Sequence, residues 1–183
     1  MKPSEVVASI LFDYESMTAD EVRELCKGLS WKTIRWLGAH HPDNKTRKIF
    51  FELTNVEVGE ETVINIHFVV SDGRLPLLKI GRRVAVSPNV TIVCESGPNN
   101  SVLGASEYVR NHLMHALPVV IEDDVWVGAN VIILPGVTVG ARSIVGAGAV
   151  VTRDIPSDVI ATGVPAKVTR KLKRPDENEW QDS

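Results

Sequence analysis

From Ile121 onward an Ile or Val returns at every sixth position, at Val127, Ile133, Val139, Val145 and Val151. A second small or apolar residue stands four places after each of these, at Val125, Val131, Val137, Ser143, Ala149 and Ile155. A period of six suits neither an α-helix, whose apolar face returns every 3.6 residues, nor a single strand alternating every two. It suits short strands joined by tight corners, with two side chains per hexad turned into a narrow interior. Three hexads then make one coil, and stacked coils pair as parallel sheets about 4.8 Å apart. Gly128, Gly140 and Gly146, with Asn130, Gly136 and Gly148 just before the second inward residue, read as the corners, because Gly and Asn tolerate left-handed backbone angles.

The same phase runs upstream at Ile80, Val86 and Ile92, and more weakly at Val58, Ile64 and Val70. It breaks twice. Four extra residues fall between Val70 and Ile80, around Asp72 to Pro76, which predicts a small bulging turn. Between Ile92 and Ile121 lies a much longer insertion, residues 95–118, containing a helix-like stretch from Glu107 to Leu117. A long excursion from a regular solenoid points to function. Residues 1–50 carry no hexads. Val6, Ile10 and Leu11 have helical spacing, and Thr18 with Glu21 three residues on forms a capping-box signature ahead of Val22, Leu25 and Leu29. The organisation expected is an N-terminal helical arm (1–50), a β-coil domain (51–170) interrupted by the loop 95–118, and a tail (171–183) that is basic and then acidic.

Composition narrows the function classes. At 183 residues one domain with decorations is expected, and a formal charge of -3 gives no basic excess for gripping nucleic acid. Cys26 and Cys94 are too few and too far apart for a disulfide framework or a thiol metal pair, so they read as free thiols. Asp13 and Glu15 follow the short apolar patch Val6 to Phe12, which argues against a cleaved leader, and no apolar run is long enough to cross a bilayer. A soluble cytoplasmic protein is expected, with neither nucleic-acid binding nor membrane insertion.

The stretch Val119 to Arg170, which includes IEDDVWVGANVIILPGVTVGARSIVGAGAVVTRDIP and the later GVPAKVTRKL, resembles the hexapeptide-repeat acyltransferases, particularly the galactoside, maltose and nodulation-factor O-acetyltransferase group. The helical arm matches that group as well. The resemblance implies a left-handed parallel β-helix, a homotrimer with sites in the clefts between adjacent coils, and transfer of an acetyl group from acetyl-CoA to a small acceptor, by resemblance a carbohydrate. No metal is expected. Carried over residue by residue, it places Trp126 and Ala129 on the cleft wall, Ala147, Thr152 and Arg153 along the pantetheine arm, and Lys167 and Arg170 beside the coenzyme phosphates. Asp13, in the motif Leu11-Phe12-Asp13-Tyr14, matches an acceptor-binding aspartate. The basic run Lys167, Arg170, Lys171, Lys173 and Arg174 also suits phosphates on chemical grounds, since Lys and Arg offer several charge-assisted hydrogen bonds.

Acyl transfer to a hydroxyl needs a base. In the resembled group a histidine followed by proline opens the long loop, and here Gly97 precedes Pro98 at that place. The remaining histidines nominate His67, and then His112 and His115 on the loop, as catalytic residues; His40 and His41 read as surface turn residues. Asp72 or Glu95 would be carboxylate substitutes. Two other readings stay open. One is a coenzyme-binding protein that has lost catalysis. The other is a zinc lyase of the γ-carbonic-anhydrase type, with His67, His112 and His115 as ligands shared between subunits.

Overall fold

A computed structural model describes residues 1–173. From Val56 onward the chain winds through three parallel sheets. Val56–Val58, Leu78–Ile80, Val119–Ile121 and Thr138–Val139 stack in the first. Val63–Ile64, Ala85–Val86, Trp126–Val127, Ile144–Val145 and Val159–Thr162 stack in the second, and Val69–Ser71, Thr91–Val93, Ile132–Ile133 and Val150–Val151 in the third. Both inward positions of every hexad from Ile121 to Ile155 are buried, as the period of six requires. Ser143 fits the apolar interior because its hydroxyl donates to the Pro156 carbonyl at 2.7 Å, so burial leaves no unmet polar group.

The corners are periodic too. Glu61, His67, Arg83, Asn89, Asp124, Asn130, Gly136, Arg142 and Gly148 all have φ between 54° and 81°, each just before a second inward residue. Asn130, Gly136 and Gly148 are therefore corner residues as expected. Gly128, Gly140 and Gly146 are not: their φ is ordinary, and they are small because coils touch there. A Cβ on Gly128 would lie 2.6 Å from the Ala147 nitrogen, and one on Gly140 2.5 Å from the Ser157 nitrogen.

The arm holds four helices, α1 (Pro3–Phe12), α2 (Ala19–Cys26), α3 (Trp31–His40) and α4 (Asn44–Glu52). Thr18 caps α2 with the capping box that the sequence predicts. Ile10, Leu37 and Phe50 are fully buried in the arm's own core. The arm is sewn to the first coil by polar bonds: Arg47 Nε donates to the Ile64 carbonyl at 2.9 Å and Lys48 Nζ to that of Gly59 at 2.7 Å. Asp72, in the four-residue bulge, is buried against Arg35 of α3 at 2.9 Å. That pairing corrects its nomination as a base, since its carboxylate is enclosed and already bonded.

In the long loop, Glu95–Ser96 pairs antiparallel with His115–Ala116, and α5 (Glu107–His112) lies between them. The helix is shorter than the expected 107–117. It buries none of its residues, and beyond Leu113 the backbone of His115 and Ala116 bonds to the outgoing strand instead.

Candidate active site

The second corner, between the second and third sheets, is built from one repeated hydrogen bond. The N–H of Gly148 donates to the carbonyl of Ala129 in the coil below at 2.8 Å, that of Asn130 to Pro88 at 3.1 Å, and that of Asn89 to Ile66 at 3.2 Å. Below His67 there is no further coil among the described residues. Its N–H donates instead to the carbonyl of Ala39, near the end of α3, at 2.6 Å. The helical arm thus stands in for a missing coil, and His40, which follows Ala39, takes the place of a corner residue beneath His67.

The side chains follow the backbone. His67 Nδ1 lies 3.0 Å from Asn89 Oδ1. A carbonyl oxygen only accepts, so Nδ1 donates in this bond, and Nε2 takes no part in it. The His40 ring packs edge-on to that of His67 with centroids 5.6 Å apart, and Trp36 stacks on His40 at 4.8 Å. His67 is exposed, held by its backbone, by Asn89 and by an aromatic neighbour. Sequence reasoning did not find Asn89 or Trp36, although Asn89 follows His67 by one coil plus the four-residue bulge.

The other nominated bases are placed differently. His112, at the end of α5, turns its Nδ1 to the Tyr108 carbonyl at 3.1 Å and stacks on the Tyr108 ring at 4.7 Å. His115 sits directly across the loop hairpin from Ser96, next to Gly97, and is exposed. Among the described residues no three His, Cys, Asp or Glu side chains converge as a metal set within the chain. His40 is exposed, but His41 is not a surface residue: it is fully buried, with Nε2 donating to the Ile10 carbonyl at 3.0 Å and Nδ1 accepting from the Asp43 N–H at 3.1 Å. Both nitrogens are spent on holding the arm together. Asp13 ends α1 and is exposed, accepting from the Ser9 hydroxyl at 3.2 Å, and the adjacent Tyr14 ring packs on His41 at 4.8 Å.

Of the residues matched to the coenzyme, Ala129 and Ala147 adjoin Asn130 and Gly148 on the same corner line as His67 and Asn89. Trp126 projects from the outer face of the second sheet, and the exposed Thr152 and Arg153 follow the third-sheet strand Val150–Val151. Lys167 and Arg170 lie in an exposed strand, Lys167–Lys171, antiparallel to Val159–Thr162, with Arg170 opposite Ile160. A cleft of about 720 Å³ runs along this face between Trp126, Ile144, Leu172 and Lys173. The rest of the tail, 174–183 including Arg174, lies outside the described residues.

The wall of that cleft is the first corner, where charge alternates from coil to coil. Arg83 grips Asp124 through two bonds of 2.6 and 2.8 Å, and Arg142 grips Asp158 through two of 2.6 and 3.0 Å. Each carboxylate holds its guanidinium more firmly protonated than usual. The two thiols offer no nucleophile, because burial pushes both Cys26 and Cys94 up to about 11.

Residues 118–153 match the family described as bacterial transferase hexapeptide (six repeats). The galactoside O-acetyltransferase of Escherichia coli strain K12 is 35% identical over 127 residues, which cover 69% of this chain and 59% of that protein. The aligned part thus spans little more than half the length of such curated relatives. Among solved structures, a hexapeptide-repeat containing acetyltransferase from Vibrio cholerae superposes with a TM-score of 0.61 at 29% identity, covering 79% of this chain and 89% of that one. A galactoside acetyltransferase in complex with coenzyme A gives a TM-score of 0.57 at 31% identity, covering 78% and 79%.

Proposed function

We propose that this chain, which belongs to the hexapeptide-repeat transferases and shares their left-handed parallel β-helix, is a soluble cytoplasmic enzyme that moves an acetyl group from acetyl-CoA to a hydroxyl of a carbohydrate. The observation that carries this reading is the second-corner line, with an oriented imidazole at its lower end and basic residues beyond its upper end. Five strand spacings separate the rung of His67 from the strand of Arg170, about 24 Å in all. That span accommodates an extended coenzyme, its thioester near His67 and its phosphates near Lys167 and Arg170. Acetylation is the named activity of the relatives on both counts, and one solved neighbour is described as complexed with acetyl coenzyme A.

In this reading His67 Nε2 takes the proton of the acceptor hydroxyl as its oxygen attacks the thioester carbonyl. The C–S bond then breaks, and the departing thiolate takes the proton back from the imidazolium. Asn89 keeps Nδ1 protonated and the ring aimed throughout. Trp126, Ala129, Ala147, Thr152 and Arg153 line the path of the pantetheine arm, and Asp13 serves the acceptor from the arm. The cleft along the second sheet is open on one side, so a homotrimer, in which a neighbouring coil closes it, belongs to the proposal.

A second assignment of the base has its own observation, since the loop hairpin sets His115 beside Gly97. Release of coenzyme A thiol, measured across a panel of sugars, tests the activity and separates the two histidines. His67→Ala should lower turnover by about two to four orders of magnitude with the KM for acetyl-CoA nearly unchanged. Near wild-type turnover in His67→Ala with loss in His115→Ala moves the base to the loop. Coenzyme binding without thiol release on any acceptor overturns the enzyme reading.

A further inference from the structure

A rigid aromatic face adjoins His67. Trp36 and His40 lie one helical turn apart on α3, their rings nearly parallel at 19° and 4.8 Å apart. His40 Nδ1 donates to the Trp36 carbonyl at 2.8 Å, which fixes the ring and leaves Nε2 as an acceptor. The pair cannot drift from His67, because the carbonyl between them and the coil, that of Ala39, accepts the His67 N–H. Yet Trp36 is 49% exposed, and its indole is not part of either buried core. An aromatic surface open to solvent beside a reactive group, and locked to it through backbone, is placed to meet the apolar face of a bound ligand.

We propose that Trp36, backed by the stacked His40 ring, forms the acceptor shelf of this enzyme, on which a pyranose ring lies with its C–H face against the open face of the indole and one rim hydroxyl donates to His40 Nε2 at the edge of the stack. This rests on the acyl-transfer reading above and adds the specificity determinant to it. A pyranose presents an apolar face of C–H bonds with hydroxyls around its rim, and the open face of the indole, held flat by the His40 ring stacked behind it, meets that face in one contact. An open-chain polyol has no such face, so the shelf selects cyclic acceptors over acyclic ones and contributes to acceptor binding rather than to chemistry. Trp36 is accordingly a specificity residue and His67 the base.

The test is acceptor kinetics on the intact protein with a methyl pyranoside and an open-chain hexitol, for wild type, Trp36→Ala, Trp36→Phe and His67→Ala. Trp36→Ala should raise the pyranoside KM about five- to tenfold, the size of one aromatic contact. Its kcat and its KM for acetyl-CoA should stay within about twofold, and Trp36→Phe should recover most of the loss. An unchanged pyranoside KM in Trp36→Ala overturns the shelf, as does an equal loss for the hexitol. The two proposals fail separately: full turnover in His67→Ala removes the base and leaves the KM result standing. Saturation-transfer NMR with the same pyranoside needs no turnover. It should enhance protons of one ring face in the wild type and lose that enhancement in Trp36→Ala, and no enhancement in the wild type sinks the proposal.

Discussion

Two corners of the same coil use one backbone geometry for opposite ends. At the first, Glu61, Arg83, Asp124, Arg142 and Asp158 stack with alternating charge, and the guanidinium forks of Arg83 and Arg142 are consumed by the carboxylates of Asp124 and Asp158. At the second, His67, Asn89, Asn130 and Gly148 occupy the same phase with the same left-handed φ, but carry an imidazole, two amides and no side chain at all, with neither a carboxylate nor a guanidinium among them. Beside the repeated backbone bonds, one side-chain hydrogen bond, from His67 to Asn89, links them among the described residues, and Nε2 takes no part in it. The hexad sets where corners fall; what the coil above and below absorbs decides whether a corner is a seam or a site.

Breaking the second corner should cost most. Asn89→Ala is expected to lower kcat about tenfold to a hundredfold, the order of loss when a reacting group is left misplaced, while the acetyl-CoA KM stays put. Asn89→Asp sharpens the point. A carboxylate in hydrogen-bond reach favours the imidazolium, and only neutral imidazole can accept a proton, so the acid limb of the pH–rate profile should move to higher pH than in the wild type. A profile that does not move would separate Asn89 from the reacting group.

Next in size are the glycines that are not corners. Gly128→Ala drives a methyl into backbone of the next coil and should destabilise by about 1–3 kcal/mol, read from denaturant midpoints. Gly148→Ala meets no atom within 4 Å and should cost about 1–2 kcal/mol from its left-handed φ alone. The smallest effect belongs to the charged seam. Asp124→Asn should cost at most about 1 kcal/mol at low salt and less at high salt, because the pair is exposed and screened.

The coil was legible because its inward positions repeat and every one from Ile121 to Ile155 is buried. Thr18 and Glu21 announced α2 for a similarly local reason, the cap being four residues of one chain segment. What stayed hidden depends on neighbours far apart in sequence. His67 was nominated, but its partner Asn89 comes into register only once the four-residue bulge is taken out of the count. Asp72 read as an available carboxylate until α3 brought Arg35 onto it. His41 read as a turn residue, since nothing local says that Ile10 closes over it. Gly97 and the loop mark where chain statistics gave least, because α5 has no buried face to impose a period.

The bond from His67 to Ala39 carries one more implication. A parallel coil ends in rows of unpaired N–H and C=O groups, and such rows invite another coil to dock and grow into a fibre. Here α3 and α4 occupy the lower end, and the antiparallel strand Lys167–Lys171 covers the upper edge of the second sheet with charged residues. The same contacts that fix the imidazole therefore also act as a stopper against end-to-end polymerisation, so trimming the arm should be felt first as loss of solubility.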